Sequence, residues 1–107
     1  MSFKILLSEN FKKEAKRLIK KYPSLKVEIA ELGEQLKENP TTGTALGKSV
    51  FKIRLAVKSK GKGKKGGARV LSLARIVKQA IILFSIYDKS EKESISDEEI
   101  KKLLEQL

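Results

Sequence analysis

The sequence predicts an α+β domain in which a small antiparallel sheet carries an N-terminal helical hairpin on one face, followed by a C-terminal helix. Three observations predict it. Apolar residues recur at helical spacing in two successive segments ahead of Asn39-Pro40. Between Phe51 and Tyr87 they change to a period of two or to continuous runs, and after Ser96 helical spacing returns. At 107 residues the chain has room for a single domain, spanning 1–107, with one modest core.

Met1 to Leu7 largely alternates, with Phe3, Ile5 and Leu7 on one side and Ser2 and Lys4 on the other, the period of a half-buried strand. Ser8 offers a helix N-cap and Glu9 an acid in the first turn. Phe11, Ala15, Leu18, Ile19 and Tyr22 then form the apolar stripe of a helix over roughly residues 8–22. Pro23-Ser24 interrupts it. A second stripe, Leu25, Ile29, Leu32 and Leu36, runs to Asn39-Pro40, where the restricted backbone ahead of proline ends the helix. A polar loop containing Thr41, Thr42, Gly43 and Gly47 leads to a strand with Phe51, Ile53, Leu55 and Val57 on one face and Lys52 and Arg54 on the other. Lys58 to Gly67 reads as a Gly/Lys loop, Ala68 to Val77 as the next strand and Lys78-Gln79 as a tight turn. The unbroken apolar run within Ala80 to Tyr87 predicts a strand buried on both faces. Ser96 with Glu99 makes a capping box for a last helix carrying Ile100, Leu103, Leu104 and Leu107. The order is β-α-α-β-β-β-α.

Composition narrows the chemistry. With no Cys and no His there is no disulfide framework, no thiol nucleophile, no Ser-His-Asp triad and no zinc site of the usual kind. The longest apolar run, Ala80 to Phe84, falls far short of the roughly 20 residues that span a bilayer. The first residues are too polar for a signal peptide, so a cytoplasmic protein with no membrane partner is expected. The formal charge is +11, from 24 Lys and Arg against 13 Asp and Glu. No acid occurs between Glu38 and Asp88, a stretch that holds 11 of the bases. The 13 remaining bases balance all 13 acids, so the whole excess belongs to that stretch. Such an imbalance concentrates polyanions, nucleic acid above all.

Within Lys60 to Gly67, Gly61 and Gly66 have P-loop spacing, but Gly67-Ala68 follows where Lys-Ser/Thr is required, so the P-loop reading fails. What remains is a connection whose lysines can reach phosphates. Lys52 and Arg54 project from a rigid strand, and Arg69 opens the next one, where pairing would bring its guanidinium near them for bidentate phosphate contact. Tyr87 suits stacking on a base or capping of the core edge. Lys89 suits phosphate binding or balance of Asp88 and Glu91.

Taken together, several pieces resemble the RelE/ParE superfamily of toxins from type II toxin-antitoxin systems, most closely its HigB-like RelE branch. They are Lys21-Tyr22-Pro23-Ser24-Leu25, Asn39-Pro40, Thr44-Ala45-Leu46-Gly47, Phe51-Lys52-Ile53-Arg54-Leu55-Ala56, Lys60 to Lys64 with Gly66 to Val70, and Ser85-Ile86-Tyr87-Asp88-Lys89-Ser90-Glu91. The resemblance implies a small sheet with a helical hairpin on one face and a ribosome-dependent mRNA endonuclease that inhibits translation. Its implied partners are the ribosome, mRNA and a cognate antitoxin. It marks Lys52, Arg54, Arg69 and Lys89 as catalytic positions and, with the basic loop, Lys58, Lys60, Lys62, Lys64, Lys65 and Tyr87 as RNA-binding ones. Attack of a ribose 2′-OH on the adjacent phosphate needs a proton acceptor, charge stabilisation and a proton donor. Lys52 is the expected base, since clustered cations favour a neutral amine; Arg54 and Arg69 would stabilise phosphate, and Lys89 would assist the leaving group. No metal or other cofactor is expected, because residues 39–87 offer no carboxylate. Some RelE toxins carry a C-terminal Tyr for stacking or proton transfer, and the nearest position here is Ile95. Two alternatives share the basic fold: a ParE-like inhibitor of DNA gyrase, and an RNA-binding domain without activity.

Overall fold

A computed structural model of the chain describes residues 2–61, 63 and 66–107. The elements are β1 (Lys4–Leu7), α1 (Glu9–Lys21), α2 (Leu25–Glu38), β2 (Thr44–Gly47), β3 (Val50–Leu55), a 3₁₀ turn (Lys58–Lys60), β4 (Ala68–Arg75), β5 (Ala80–Asp88) and α3 (Asp97–Glu105). The sheet order is β1-β5-β4-β3-β2, with β1 parallel to β5 and the other three pairs antiparallel. No helix among the described residues is long and apolar enough to cross a membrane.

Local chemistry sets the helix ends. Ser8 is extended and its Oγ accepts the Phe11 N–H at 3.0 Å, while Ser96 does the same for the Glu99 N–H at 3.2 Å. Ser24, ahead of α2, is already helical and makes no cap; its hydroxyl bonds Glu28 at 3.1 Å instead. The hairpin lays Phe11, Leu18, Leu32 and Leu36 over Ile53, Val70, Ile81 and Ile86. On the opposite face Ile100, with Leu103, Leu104 and Ile95, covers Val50, Leu71 and Phe84. The sheet is therefore sandwiched, and β5 is buried on both faces as its apolar run predicts. Each fully buried Leu or Phe contributes on the order of 1.5–3 kcal/mol.

β5 outruns β1, nine residues against four, and α1 supplies the partners its edge then lacks. Asn10 Nδ2 donates to the Phe84 carbonyl at 3.0 Å, and Glu14 accepts the Ile86 N–H at 3.2 Å and the Ser85 hydroxyl at 2.8 Å. Polar residues of an otherwise apolar helix face thus continue the ladder.

The structure corrects the expected elements in several places. The segment read as a polar loop contains β2, paired to β3 through a two-residue turn, Lys48-Ser49, both at positive φ (53° and 65°). Such turns usually announce themselves by Asn or Gly, and this one has neither at its centre. The strand expected through Val77 ends at Arg75, and Ile76 to Gln79 form the turn, with Val77 98% exposed. The first strand begins at Lys4, its expected start at Met1 lying outside the described residues. Val57 lies past the end of β3, yet it is still buried in the hairpin-side core.

Candidate functional site

Register places the site. Arg54 on β3 stands directly opposite Arg69 on β4, and Arg69 stands directly opposite Tyr87 on β5. Residues in register share a face, so the three side chains form a transverse row on the side of the sheet away from the hairpin. Lys52 belongs to the same face two residues along, roughly 7 Å from Arg54, and is opposite Leu71. Val50 continues that face at its other end, where α3 covers it, which leaves Arg54 exposed and Lys52 half-buried. Arg69 is 5% exposed, and its Nη1 donates to the Ala68 carbonyl at 3.1 Å. Just before it, Gly67 runs so close to β3 that a Cβ would overlap the Leu55 carbonyl. Only glycine lets β4 begin beside Leu55 and bring Arg69 level with Arg54.

Tyr87 is 5% exposed, and its hydroxyl has no hydrogen-bond partner among the described residues. Burial pushes its pKa up, against the opposing pull of Arg69 and Lys92. The Lys92 ammonium lies 6.0 Å from the ring centroid and also pairs with Glu99 of α3. The ring is therefore covered rather than presented for stacking. Ile95, the position nearest to the C-terminal Tyr that the resemblance implies, packs into the apolar cluster beneath α3.

Lys89 sits at the turn after β5: its N–H donates to the Gly67 carbonyl at 3.1 Å and its ammonium to the Glu93 carbonyl at 2.7 Å. It is close in sequence to the row but is not part of it. Lys58 is exposed, and its backbone N–H is held by the buried Glu28 at 2.7 Å. Lys60 turns the other way, into an ion pair with Asp88 in which the two side chains are 7% and 2% exposed. Asp88 also accepts from the Tyr22 hydroxyl at 2.8 Å and the Ser90 N–H at 2.9 Å. Burial resists its ionisation, but the bonds from Lys60, Ser90 and Tyr22 outweigh that and hold the carboxyl below the usual Asp range. Lys62, Lys64 and Lys65 lie outside the described residues.

The acid-free stretch is not one patch. Lys48 lies in the turn before Val50 and Arg75 pairs with Ala80, which puts them with Lys78 at the end of the sheet remote from Arg54. Sequence reasoning missed Lys92 and the Asp88–Tyr22–Lys60 node. No local signal marks them, because the node joins side chains 28 and 66 positions apart. Among the described residues, no group of three or more Asp or Glu converges to hold a metal ion.

Comparison with known proteins bears on this arrangement. Seven chains of solved structures match, among them the E. coli toxin RelE, solved in the free state as a double Arg-to-Ala mutant. It superposes with a TM-score of 0.67 at 17% identity, covering 95% of this chain and 98% of that one. No curated protein sequence matches. The family model for the RelE toxin of the RelE/RelB toxin-antitoxin system matches residues 3–106. Spanning nearly the whole of a chain that also has the RelE fold, this match shows that the protein belongs to the RelE toxin family.

Proposed function

We propose that this toxin is a ribosome-dependent mRNA endonuclease that cleaves without a metal and acts on the strand-borne row of Arg54, Arg69 and Lys52. One observation carries the reading: Arg54 and Arg69 stand directly opposite each other across a strand pair on the sheet face away from the hairpin. Like charges directly opposed destabilise a sheet, and an anion between them reverses the sign of that interaction. A phosphodiester suits the position, since the planar fork of the exposed Arg54 can hold two of its oxygens and Arg69 adds positive charge beside it.

In the proposed reaction a ribose 2′-OH attacks the adjacent phosphorus and the bond to the 5′-oxygen breaks, leaving a 2′,3′-cyclic phosphate and a 5′-hydroxyl. Lys52 takes the 2′-OH proton. Arg54 and Arg69 hold the extra negative charge of the five-coordinate transition state, the kind of preorganised stabilisation that contributes most to such steps. Lys89 commits one of its three donors to Glu93 and retains two for the departing 5′-oxygen. Lys58, exposed past the end of β3, is available for further phosphate contacts. Lys60 is engaged with Asp88 and serves the loop rather than the RNA.

The test is induced expression followed by mapping of mRNA 5′ ends. Cuts inside translated codons that disappear in an Arg54→Ala/Arg69→Ala variant support the proposal. DNA damage without such cuts would establish gyrase inhibition, and harmless expression of the folded protein would establish simple RNA binding; either result overturns it. Replacing Lys52 by Arg keeps a long basic side chain but removes a usable proton acceptor. It should abolish cleavage while ribosome binding persists.

A further inference from the structure

A cavity of about 290 Å³ lies where α2 passes the outer edge of β3. It opens there because β2 is short: its pairing ends with Thr44 opposite Lys52, and among the described residues no strand lies outside Ile53 to Ala56. Two close approaches fix how the peptide groups of β3 point. A Cβ on Gly43, just ahead of β2, would lie 2.6 Å from the Lys52 carbonyl oxygen, and one on Gly67, just ahead of β4, 2.1 Å from that of Leu55. The Lys52 carbonyl therefore points outward and the Leu55 carbonyl inward, toward β4. In an antiparallel ladder the direction alternates, so Arg54 points outward with Lys52. Its N–H and C=O thus border the cavity with no strand beside them and no backbone partner among the described residues.

The rest of the lining complements that amide edge. Leu32, Ile53 and Leu55 form an apolar floor. Glu31 and Gln35, one turn apart on α2, stand in the wall, exposed and without a side-chain partner among the described residues. Glu28 also borders the cavity, but its carboxylate is committed to the Ser24 hydroxyl and the Lys58 N–H.

We propose that this cavity binds a guanine base of the RNA strand whose phosphate Arg54 holds, and so sets a sequence preference. That the base belongs to mRNA rests on the nuclease reading; the choice of guanine rests on the cavity. A base is a flat ring with a polar edge, which matches an apolar floor bounded by an amide edge and a carboxylate. A carboxylate only accepts, and among the RNA bases guanine alone presents two adjacent donors, N1–H and N2–H, on its pairing edge. Those donors face Glu31 while the Arg54 N–H donates to O6. Adenine suits the amide edge but sets its N1 lone pair against the carboxylate, and cytosine and uracil each offer one donor with acceptors beside it. Arg54 acts twice, its guanidinium on phosphate and its main chain on the base. An added peptide strand would find only Arg54 facing outward in β3 beyond Lys52, too little for a ladder.

The experiment titrates isotope-labelled full-length toxin with each of the ribonucleoside 5′-monophosphates and follows amide signals by NMR. The guanosine nucleotide should bind roughly tenfold or more tightly than the others and move the Arg54 and Gln35 signals. Glu31→Gln, at an exposed position of α2 and with its fold checked by circular dichroism, should level the affinities. Arg54→Ala keeps the main chain, so it should weaken every nucleotide yet retain the guanine preference. In mapped mRNA ends, guanine should be enriched at one fixed position beside the cut, and Glu31→Gln should erase that enrichment. Equal affinities in the wild type, a preference that survives Glu31→Gln, or one lost in Arg54→Ala overturns the proposal. So does an Arg54 amide that the antitoxin protects and no nucleotide moves, since the edge would then belong to a protein strand. Absence of mRNA cleavage, with the guanine preference and its loss in Glu31→Gln intact, would overturn the nuclease reading and leave the cavity assignment standing.

Discussion

At the scale of single residues, the site depends on positions whose alternatives the structure excludes. Gly67 is one: substitution by Ala drives a Cβ into the Leu55 carbonyl, and β4 must shift away from β3. Gly67→Ala should lower the urea midpoint by the equivalent of about 2 kcal/mol and remove cleavage, because Arg69 leaves its place opposite Arg54. Arg54 is exposed, so Arg54→Ala should instead leave the melting temperature nearly unchanged and reduce the cleavage rate by roughly 10²-fold or more. Asp88 has the opposite character, a buried carboxylate bound to Tyr22 and Lys60. Asp88→Asn leaves Lys60 charged and buried, a loss of roughly 3 kcal/mol by urea denaturation, and a second change, Lys60→Met, should restore most of it. Because the folded pKa of Asp88 lies below its ordinary value of 3.8, the stability it confers is present above about pH 4 and disappears as the pH falls through the folded value. A pH series of denaturation midpoints should therefore show an acid limb that is smaller in the Asn variant, where only the lowered Glu91 and Glu99 remain to contribute.

At the scale of elements, what the sequence discloses follows from how local each signal is. The three helices are legible because Ser8 and Ser96 act within one turn and the stripes Phe11 to Leu18 and Leu25 to Leu36 repeat at helical spacing. β3 and β5 are legible from alternation and from an unbroken apolar run. β2 is not, since it is exposed along its whole length and its turn is built from Lys48 and Ser49, which reach positive φ only at a cost. Replacing that pair by Asn-Gly should raise stability by about 1 kcal/mol, read as a higher urea midpoint with an unchanged slope. Lys52, Arg54 and Arg69 are recognisable as candidates from the sequence, but their alignment with Tyr87 requires the β4–β5 register, which is shifted between Leu71 and Ser72 in a way no pattern reveals. The edge support by α1 is equally hidden. Glu14→Ala should strip the Ile86 N–H of its partner and cost roughly 1–3 kcal/mol, with faster amide exchange at Ile86 as the specific sign.

At the scale of the whole molecule, a net charge of +11 favours polyanions in general, but position decides what each charge does. The bases of the acid-free stretch divide between the two ends of the sheet, and only one end carries the facing arginines. Neutralising Lys48, Arg75 and Lys78 together should therefore change cleavage by no more than about twofold. Neutralising Lys52, Arg54 and Lys58 removes the same formal charge and should eliminate it, while lowering the salt dependence of ribosome binding by roughly one unit of slope for each phosphate that is no longer neutralised. The parallel pairing of β1 with β5 has a consequence of another kind. Lys4 to Leu7 pair with Ala80 to Leu83, partners far apart in the chain, with α1, α2, β2, β3 and β4 between them. In folding, the first strand must wait without its neighbour until β5 is in place, and the row that ends at Tyr87 cannot assemble before it.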